Sequence, residues 1–235
     1  MQDLHRSIAG PSRTTGMEVV GDYKELVLLA ALVVWALARR RTTGPWYPWL
    51  GVLLLASIVA ELMGKWFAAY GLNNHVLYNA YFVVEFGVIM VLLCRTWPRS
   101  QVLHRMIAGA VALLFPVLVV DLWLHGSVHV LVTNALIIGG FLIGILAAKA
   151  LFMLVQESDV ALHRLPLFWV LLSFMVYYLT FIPIFGLYNY LSQHESTVAF
   201  ELSNFNNVLF LIRYGLVLVG LVLLYRQSAM RHDGQ

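Results

Sequence analysis

Two charged residues lie where a membrane-spanning segment would carry them into the hydrocarbon core. Glu85 lies near the middle of the apolar stretch 73–95, and Arg213 lies about halfway along the apolar stretch 199–225. A charge at that depth is costly and usually faces the interior of a helix bundle, where it has a partner. The sequence therefore predicts a buried Glu85–Arg213 ion pair. Such a pair could lock two helices together without adding net stability, or it could respond to a ligand or a proton.

A second group of polar residues predicts a polar cavity that opens to the outside. In the stretch 73–95, His75, Tyr78 and Glu85 fall on one broad helical face, with Asn79 beside it. The alternative is ordinary solvation of wet helix ends. The remaining cavity candidates come from the other apolar segments and are Glu61, Asp121, Asn134, Tyr178, Glu201, Asn204 and Asn207.

Some of these acids lie near histidines, and carboxylate and imidazole groups together can bind Zn²⁺. The candidate ligands are Asp121, His125, His129 and His194, of which the first two are four residues apart and share a helical face. The chain has no H-E-x-x-H motif or other compact ligand set. The sequence therefore predicts no metal, no other cofactor and no catalytic residue.

The elements that position these residues follow from composition. Hydrophobic residues make up 61% of the 235 residues and charged residues 11%, with a mean hydropathy of +0.81. Soluble domains have about 25% charged residues, so the chain is predicted to be a polytopic protein whose first partner is the lipid bilayer. No basic stripe with interleaved aromatics suggests nucleic acid. The single cysteine, Cys94, excludes an intramolecular disulfide and is expected to be a small packing residue.

Seven apolar segments are close to the roughly 20 residues needed to cross the hydrocarbon core. Strands of a membrane barrel would alternate apolar and polar residues, which these segments do not, so the fold class is all-α, a seven-helix transmembrane bundle. The predicted segments are 23–40, 46–66, 75–95, 104–125, 129–155, 165–186 and 199–225.

The distribution of basic residues predicts the orientation. Ten basic residues fall on one side of the predicted spans and four on the other. Because the side richer in Lys and Arg is usually cytoplasmic, the amino terminus is expected outside and the carboxyl terminus inside. Residues 1–22 are predicted to be a disordered tail, 23–226 the transmembrane domain and 227–235 a short cytoplasmic tail.

A weak internal similarity leaves a second architecture open. The stretch Asn206–Phe210, NNVLF, is similar to Asn73–Tyr78, NNHVLY, and each opens a predicted helix. Two parallel three-helix repeats joined by a linker helix would produce this pattern, as in some transporters.

The chain also resembles a group of small seven-span bacterial inner-membrane proteins that has no established activity. The resemblance extends over helices two to seven and rests on Asn74–Asn79 with Tyr81 and Glu85, on Pro166–Trp169, and on Asn204 with Asn207. It implies the seven-helix architecture and a special role for Glu85, and it implies no reaction.

These features favour a non-enzymatic module that binds or senses a small ligand or a partner membrane protein. A small-solute transporter of 3+1+3 helices is the first alternative. The second is an intramembrane hydrolase that uses a metal held by the candidate ligands named above.

Overall fold

The computed structural model describes residues 15–39, 44–125, 132–194 and 196–232, with side chains described in those ranges except at 15–22, 125, 181, 184–185, 187–204 and 231–232. This part of the chain forms seven α-helices and no strand. The helices are α1 Thr15–Ala38, α2 Tyr47–Ala69, α3 His75–Thr96, α4 Gln101–His125, α5 Thr133–Glu157, α6 Pro166–His194 and α7 Ser196–His232, with a 3₁₀ turn at Leu162–Arg164.

Five of these helices are long and apolar enough to cross a membrane: α2, α3, α4, α5 and the Phe205–Met230 part of α7. In α6 the described apolar stretch is the shorter Pro166–Thr180. Large apolar side chains point away from the bundle, as at Phe115 and Trp123, which are 68% and 79% exposed. Such a surface suits a lipid environment, so the described part of the chain is all-helical and has the character of a membrane-embedded protein.

The ends of the helices follow local sequence signals. Pro48 lies in the first turn of α2 and Pro166 opens α6, positions where the missing N–H of proline costs nothing. Helix α2 ends at Ala69 and is followed after Tyr70 by Gly71, whose φ of +66° is the left-handed conformation that glycine adopts readily. Two backbone bonds close this end, from Leu72 N to Phe67 O at 2.8 Å and from Gly71 N to Ala68 O at 3.1 Å, which is a Schellman motif.

Three helices extend beyond the segments that apolarity predicts. Helix α1 begins at Thr15, within the stretch 1–22 expected to be a tail, and α6 continues past Pro183 to His194. Helix α7 runs to His232, through most of the expected carboxyl-terminal tail. An apolar run predicts only the part of a helix that suits the bilayer. The helix itself can continue into polar sequence, because its backbone hydrogen bonds are made within the helix.

The helices form a closed ring of six with one helix outside it. The order of neighbours around the ring is α1, α2, α3, α5, α6, α7 and back to α1, while α4 packs mainly on α5. In the membrane-length part of α5, 50% of the residues are buried, against only 22% in α4. This difference is expected between a helix of the ring and a helix outside it. Glycines allow close approach around α5, where Gly139 faces the Phe82 ring of α3.

Candidate functional site

Glu85 and Arg213 meet in the interior of the six-helix ring. They come from α3 and α7, which are not neighbours in the ring, and Arg213 Nη1 lies 2.6 Å from Glu85 Oε1. The side chain of Arg213 is 0% exposed and that of Glu85 is 6% exposed. The structure thus brings the two predicted partners into contact, and it does so near the middle of both helices.

A chain of three hydroxyl groups leads to the Glu85 carboxylate. Tyr81 Oη donates to Glu85 Oε1 at 2.9 Å, Ser57 Oγ lies 2.8 Å from Tyr81 Oη, and Tyr214 Oη donates to Ser57 Oγ at 2.6 Å. Each hydroxyl has one proton to donate. Because the proton of Tyr81 goes to Glu85, Ser57 is the donor in the bond to Tyr81. We call Ser57, Tyr81, Glu85, Arg213 and Tyr214 the Arg213 cluster.

The proton of Ser57 has a second acceptor within reach. Ser57 Oγ lies 2.8 Å from the carbonyl oxygen of Leu53, one turn earlier in α2. A single proton cannot serve both acceptors fully, so it is shared between Tyr81 and Leu53. Ser57 is completely buried, and water therefore does not compete for this proton. The Ser57 proton can therefore turn from Tyr81 to Leu53 without movement of the Ser57 oxygen.

Aromatic rings surround the Arg213 guanidinium. Its central carbon lies 4.8 Å from the ring centroid of Tyr177 and 5.2 Å from that of Tyr178. The rings of Tyr214 and Phe174 follow at 5.2 and 5.5 Å. Rings within about 6 Å attract a cation through their quadrupoles and partly replace its lost hydration. Tyr178, a predicted cavity residue, therefore contributes to this aromatic cage.

The guanidinium has fewer hydrogen bonds than its donors allow. Neither Nε nor Nη2 of Arg213 has a hydrogen-bond acceptor among the residues that the structure describes. The contact between Nη1 and Glu85 is an ion pair at 2.6 Å without good hydrogen-bond geometry. A buried arginine normally uses most of its five donors, so the free edge formed by Nε and Nη2 is an unusual feature among the described side chains.

A second ion pair joins α1 to α2 and α7. Lys24 Nζ lies 2.7 Å from Glu61 Oε2 and donates to Asn207 Oδ1 at 3.1 Å. Its side chain is 13% exposed and that of Glu61 11%. Tyr78 of α3 packs here as well, with its hydroxyl lying against Gly64 of α2. We call Lys24, Glu61 and Asn207 the Lys24 cluster.

The Lys24 cluster and the Arg213 cluster lie at different depths in the bundle. Asn207 precedes Arg213 by six residues, which is about 9 Å along α7, and Glu61 follows Ser57 by about 6 Å along α2. Tyr177 connects the two levels, because its ring faces Arg213 and its hydroxyl lies 3.5 Å from Asn206 Oδ1. The interior of the ring is therefore polar at two successive levels.

Asp121 and two other predicted cavity residues form a separate group at the start of α5. Asp121 of α4 accepts hydrogen bonds from Asn134 Nδ2 at 2.8 Å and from Ala135 N at 3.1 Å. Asn79 of α3 accepts one from Val132 N at 3.2 Å. Two neighbouring helices thus supply acceptors for the free N–H groups at the amino end of α5, a role that a capping residue usually fills from within the helix. The predicted single cavity is divided into distinct groups.

The other predicted residues are not brought into these groups by the described part of the structure. His75 is exposed at the first turn of α3, where its backbone N–H donates to Asn73 Oδ1 at 2.8 Å. The side chains of Glu201, Asn204, His125 and His194 lie outside the described side chains, and residue His129 lies outside the described residues.

No metal centre is apparent in the described part of the chain, where no three His, Cys, Asp or Glu residues come together. Asp121, the one metal candidate whose side chain is described, uses both carboxylate oxygens at the start of α5.

Several members of the two clusters give weak signals in the sequence. Ser57, Tyr81 and Tyr214 are common residues in apolar helices, and their hydroxyls carry no charge. Lys24 lies at the edge of an apolar run, where lysine usually reaches the membrane surface. The sequence signal for its role is the pairing of opposite charges, because Lys24 and Glu25 are adjacent on α1 and Glu61 and Lys65 are four residues apart on α2.

Models of protein families, curated proteins and solved structures gave no match to this chain. The likeness to small seven-span bacterial proteins therefore stays a prediction.

Proposed function

We propose that this protein is a non-enzymatic membrane module that binds or senses a small ligand or a partner membrane protein. The Glu85–Arg213 pair is its switchable link, and movement of α3 relative to α7 carries the response. The Lys24 cluster lies between the Arg213 cluster and the outer surface, and the two clusters together connect a change at that surface to the Glu85–Arg213 pair.

The observation that carries this proposal is the position of the pair. Glu85 and Arg213 cross the interior of the ring between two helices that are not neighbours in it. Anything that weakens the pair leaves a buried charge without its partner, which costs about 3–5 kcal/mol. A cost of that size changes the equilibrium constant between two helix arrangements by a factor of about one hundred to a few thousand, since about 1.4 kcal/mol corresponds to tenfold.

The same proposal includes seven spans in the bacterial inner membrane, with the amino terminus outside. Seven helices in the described chain, five of them of membrane length, support the count. The ten basic residues on the predicted cytoplasmic side support the orientation.

The experiment compares helix positions with and without the charge pair. Spin labels are placed on Cys94 of α3 and on Val222→Cys of α7. Each label lies nine residues after the charged residue of its helix, Glu85 or Arg213. We expect Glu85→Gln to change the distance distribution between the two labels. The matched control is Lys65→Met, which alters the more exposed Lys65–Glu25 pair and should leave the distribution unchanged. An unchanged distribution in Glu85→Gln would remove the proposed role of the pair.

A small-solute transporter is the second candidate, and the position of α4 favours it. The ring divides into α1–α2–α3 and α5–α6–α7, with α4 outside as a linker between the two triplets. A transporter must expose the Arg213 cluster to the two sides of the membrane in turn. Ser57→Cys in a Cys94→Ser background tests this. Labelling by a membrane-impermeant maleimide from both faces of oriented vesicles supports transport, and labelling from a single face or from neither supports binding alone.

A further inference from the structure

We infer that the Arg213 cluster binds a small carboxylic acid as an anion and a proton together, with the anion on Arg213 and the proton on Glu85. This inference rests on the proposed function, because it names the ligand of the same link. It follows from the free edge of Arg213, from the hydroxyl chain and from the charge balance of a buried site.

The free edge of Arg213 has the geometry that a carboxylate needs. Nε and Nη2 present two parallel N–H groups, and neither has an acceptor among the described residues. A planar oxyanion such as a carboxylate binds this edge with two parallel hydrogen bonds, whereas a spherical anion does not match it. The side chain of Arg213 is 0% exposed, so an unsatisfied donor pair here is unusual for a purely structural arginine.

The hydroxyl chain accepts either protonation state of Glu85 without moving an oxygen atom. When Glu85 is ionised, Tyr81 donates to it and Ser57 donates to Tyr81. When Glu85 is protonated, it donates to Tyr81, Tyr81 donates to Ser57, and the Ser57 proton goes to the Leu53 carbonyl at 2.8 Å. Tyr214 donates to Ser57 in both cases, since a hydroxyl oxygen accepts two hydrogen bonds.

Charge balance links the two binding events. Arg213 and Glu85 together are neutral, and a second anion on the arginine would leave a net negative charge in a site with little water. Burial of an uncompensated charge is strongly unfavourable, so the anion enters only with a cation, and Glu85 takes up the proton that supplies it. No covalent bond changes, and one proton and one anion are bound per site.

The groups facing Glu85 from neighbouring helices do not compete as proton acceptors near neutral pH. Serine hydroxyls and phenols do not ionise near neutral pH, and arginine stays charged. Besides Ser57 of α2, these groups are Tyr81, Tyr177, Tyr178, Arg213 and Tyr214.

The rings around Arg213 determine the body of the ligand. Phe174 and three tyrosines line the guanidinium, so an acid with a flat apolar body gains stacking contacts that acetate cannot make. Because the two charged side chains are almost unexposed, the surrounding helices must move before a ligand reaches Arg213. In the proposed function this opening accompanies the movement of α3 relative to α7.

The test uses the full-length protein in detergent with benzoate as the probe. Benzoate binding is measured by titration calorimetry, and proton uptake is measured with a pH indicator in weakly buffered solution. We expect about one proton taken up per benzoate, and an apparent dissociation constant that rises about tenfold per pH unit above neutrality. Benzamide, which has the same shape without the charge, should not bind. Lys65→Met should retain the one-to-one uptake.

Two variants separate the roles of the pair. In Glu85→Gln, benzoate should bind without proton uptake and with an affinity independent of pH, whereas Arg213→Gln should not bind benzoate. Benzoate binding without proton uptake in the parent protein, unchanged uptake in Glu85→Gln, or absence of benzoate binding would each overturn the inference. If the inference fails while Glu85→Gln still changes the Cys94–Val222→Cys distance, the proposed link between α3 and α7 stands. If that distance is also unchanged, both fail.

Discussion

At the scale of single residues, Ser57 joins three helices with one hydroxyl group. It belongs to α2, accepts from Tyr214 of α7 and lies within hydrogen-bond distance of Tyr81 of α3. We expect Ser57→Ala to lower the free energy of unfolding by about 1–3 kcal/mol, because it leaves the buried Tyr214 donor without its acceptor. Equilibrium unfolding in SDS, followed by circular dichroism, measures the loss.

Ser173→Ala is the matched control for this change. Ser173 is also fully buried, but its hydroxyl bonds only the Val170 carbonyl of its own helix, at 2.7 Å. Its removal should cost less than about 1 kcal/mol, because that carbonyl keeps its place in the helical ladder. Equal losses in the two variants would show that the hydroxyl chain between helices is unimportant for stability.

The coupling between Glu85 and Arg213 can be measured directly. We expect Glu85→Gln and Arg213→Gln each to destabilise the protein by about 3–5 kcal/mol, and the double variant to lose clearly less than the sum. The reason is that either single change leaves a buried charge unpaired, whereas the double change removes both charges. The same cycle on Lys65 and Glu25, whose side chains are 53% and 22% exposed, should give a coupling of about 0–1 kcal/mol. Additive losses at Glu85 and Arg213 would contradict the pairing.

At the scale of helices, α5 depends on its neighbours for the start of its hydrogen-bond ladder. Asp121 of α4 bonds the Ala135 N–H, and its negative charge lies at the positive end of the α5 dipole. We expect Asp121→Ala to cost about 1–2 kcal/mol and to raise amide hydrogen exchange at residues 133–136. Asp159→Ala, in an exposed position after α5, should change neither quantity. Unaltered exchange in Asp121→Ala would show that α5 does not need this acceptor.

The sequence predicts the helices and their central charges better than it predicts how polar residues group. Apolar runs locate all seven helices, and the depth argument selects Glu85 and Arg213 as candidates for one site. Asp121 and Asn134 line a pocket of about 230 Å³ on α4 and α5, and Asp121 also bonds the start of α5, as Asn79 does. Polarity alone does not predict this backbone capping, because a capping residue and a cavity residue use the same polar atoms. The sequence does not predict the role of Lys24, because that role depends on α1 packing against both α2 and α7. Residue spacing within one helix does not contain this long-range arrangement.

At the scale of the whole molecule, the proposed orientation can be tested from both ends. Ser7→Cys and Gly234→Cys are made separately in a Cys94→Ser background, so each protein has a single thiol. Because the basic residues favour an outer amino terminus, an impermeant maleimide should label Ser7→Cys in cells with a permeable outer membrane. Gly234→Cys should be labelled only after the inner membrane is broken. The opposite labelling pattern would reverse the orientation and place the Lys24 cluster nearer the cytoplasm.

The hydroxyl chain runs across the bundle and not along it. Ser57, Glu85 and Arg213 each lie near the middle of their helices, so the chain from Tyr214 to Glu85 stays close to one level. The membrane potential does work of about 2.3 kcal/mol per elementary charge per 100 mV, but only on charge that moves along the membrane normal. Protons redistributed along this chain therefore cross little of the voltage. If the Arg213 cluster binds a ligand as proposed, its internal rearrangement should therefore be nearly independent of the membrane potential.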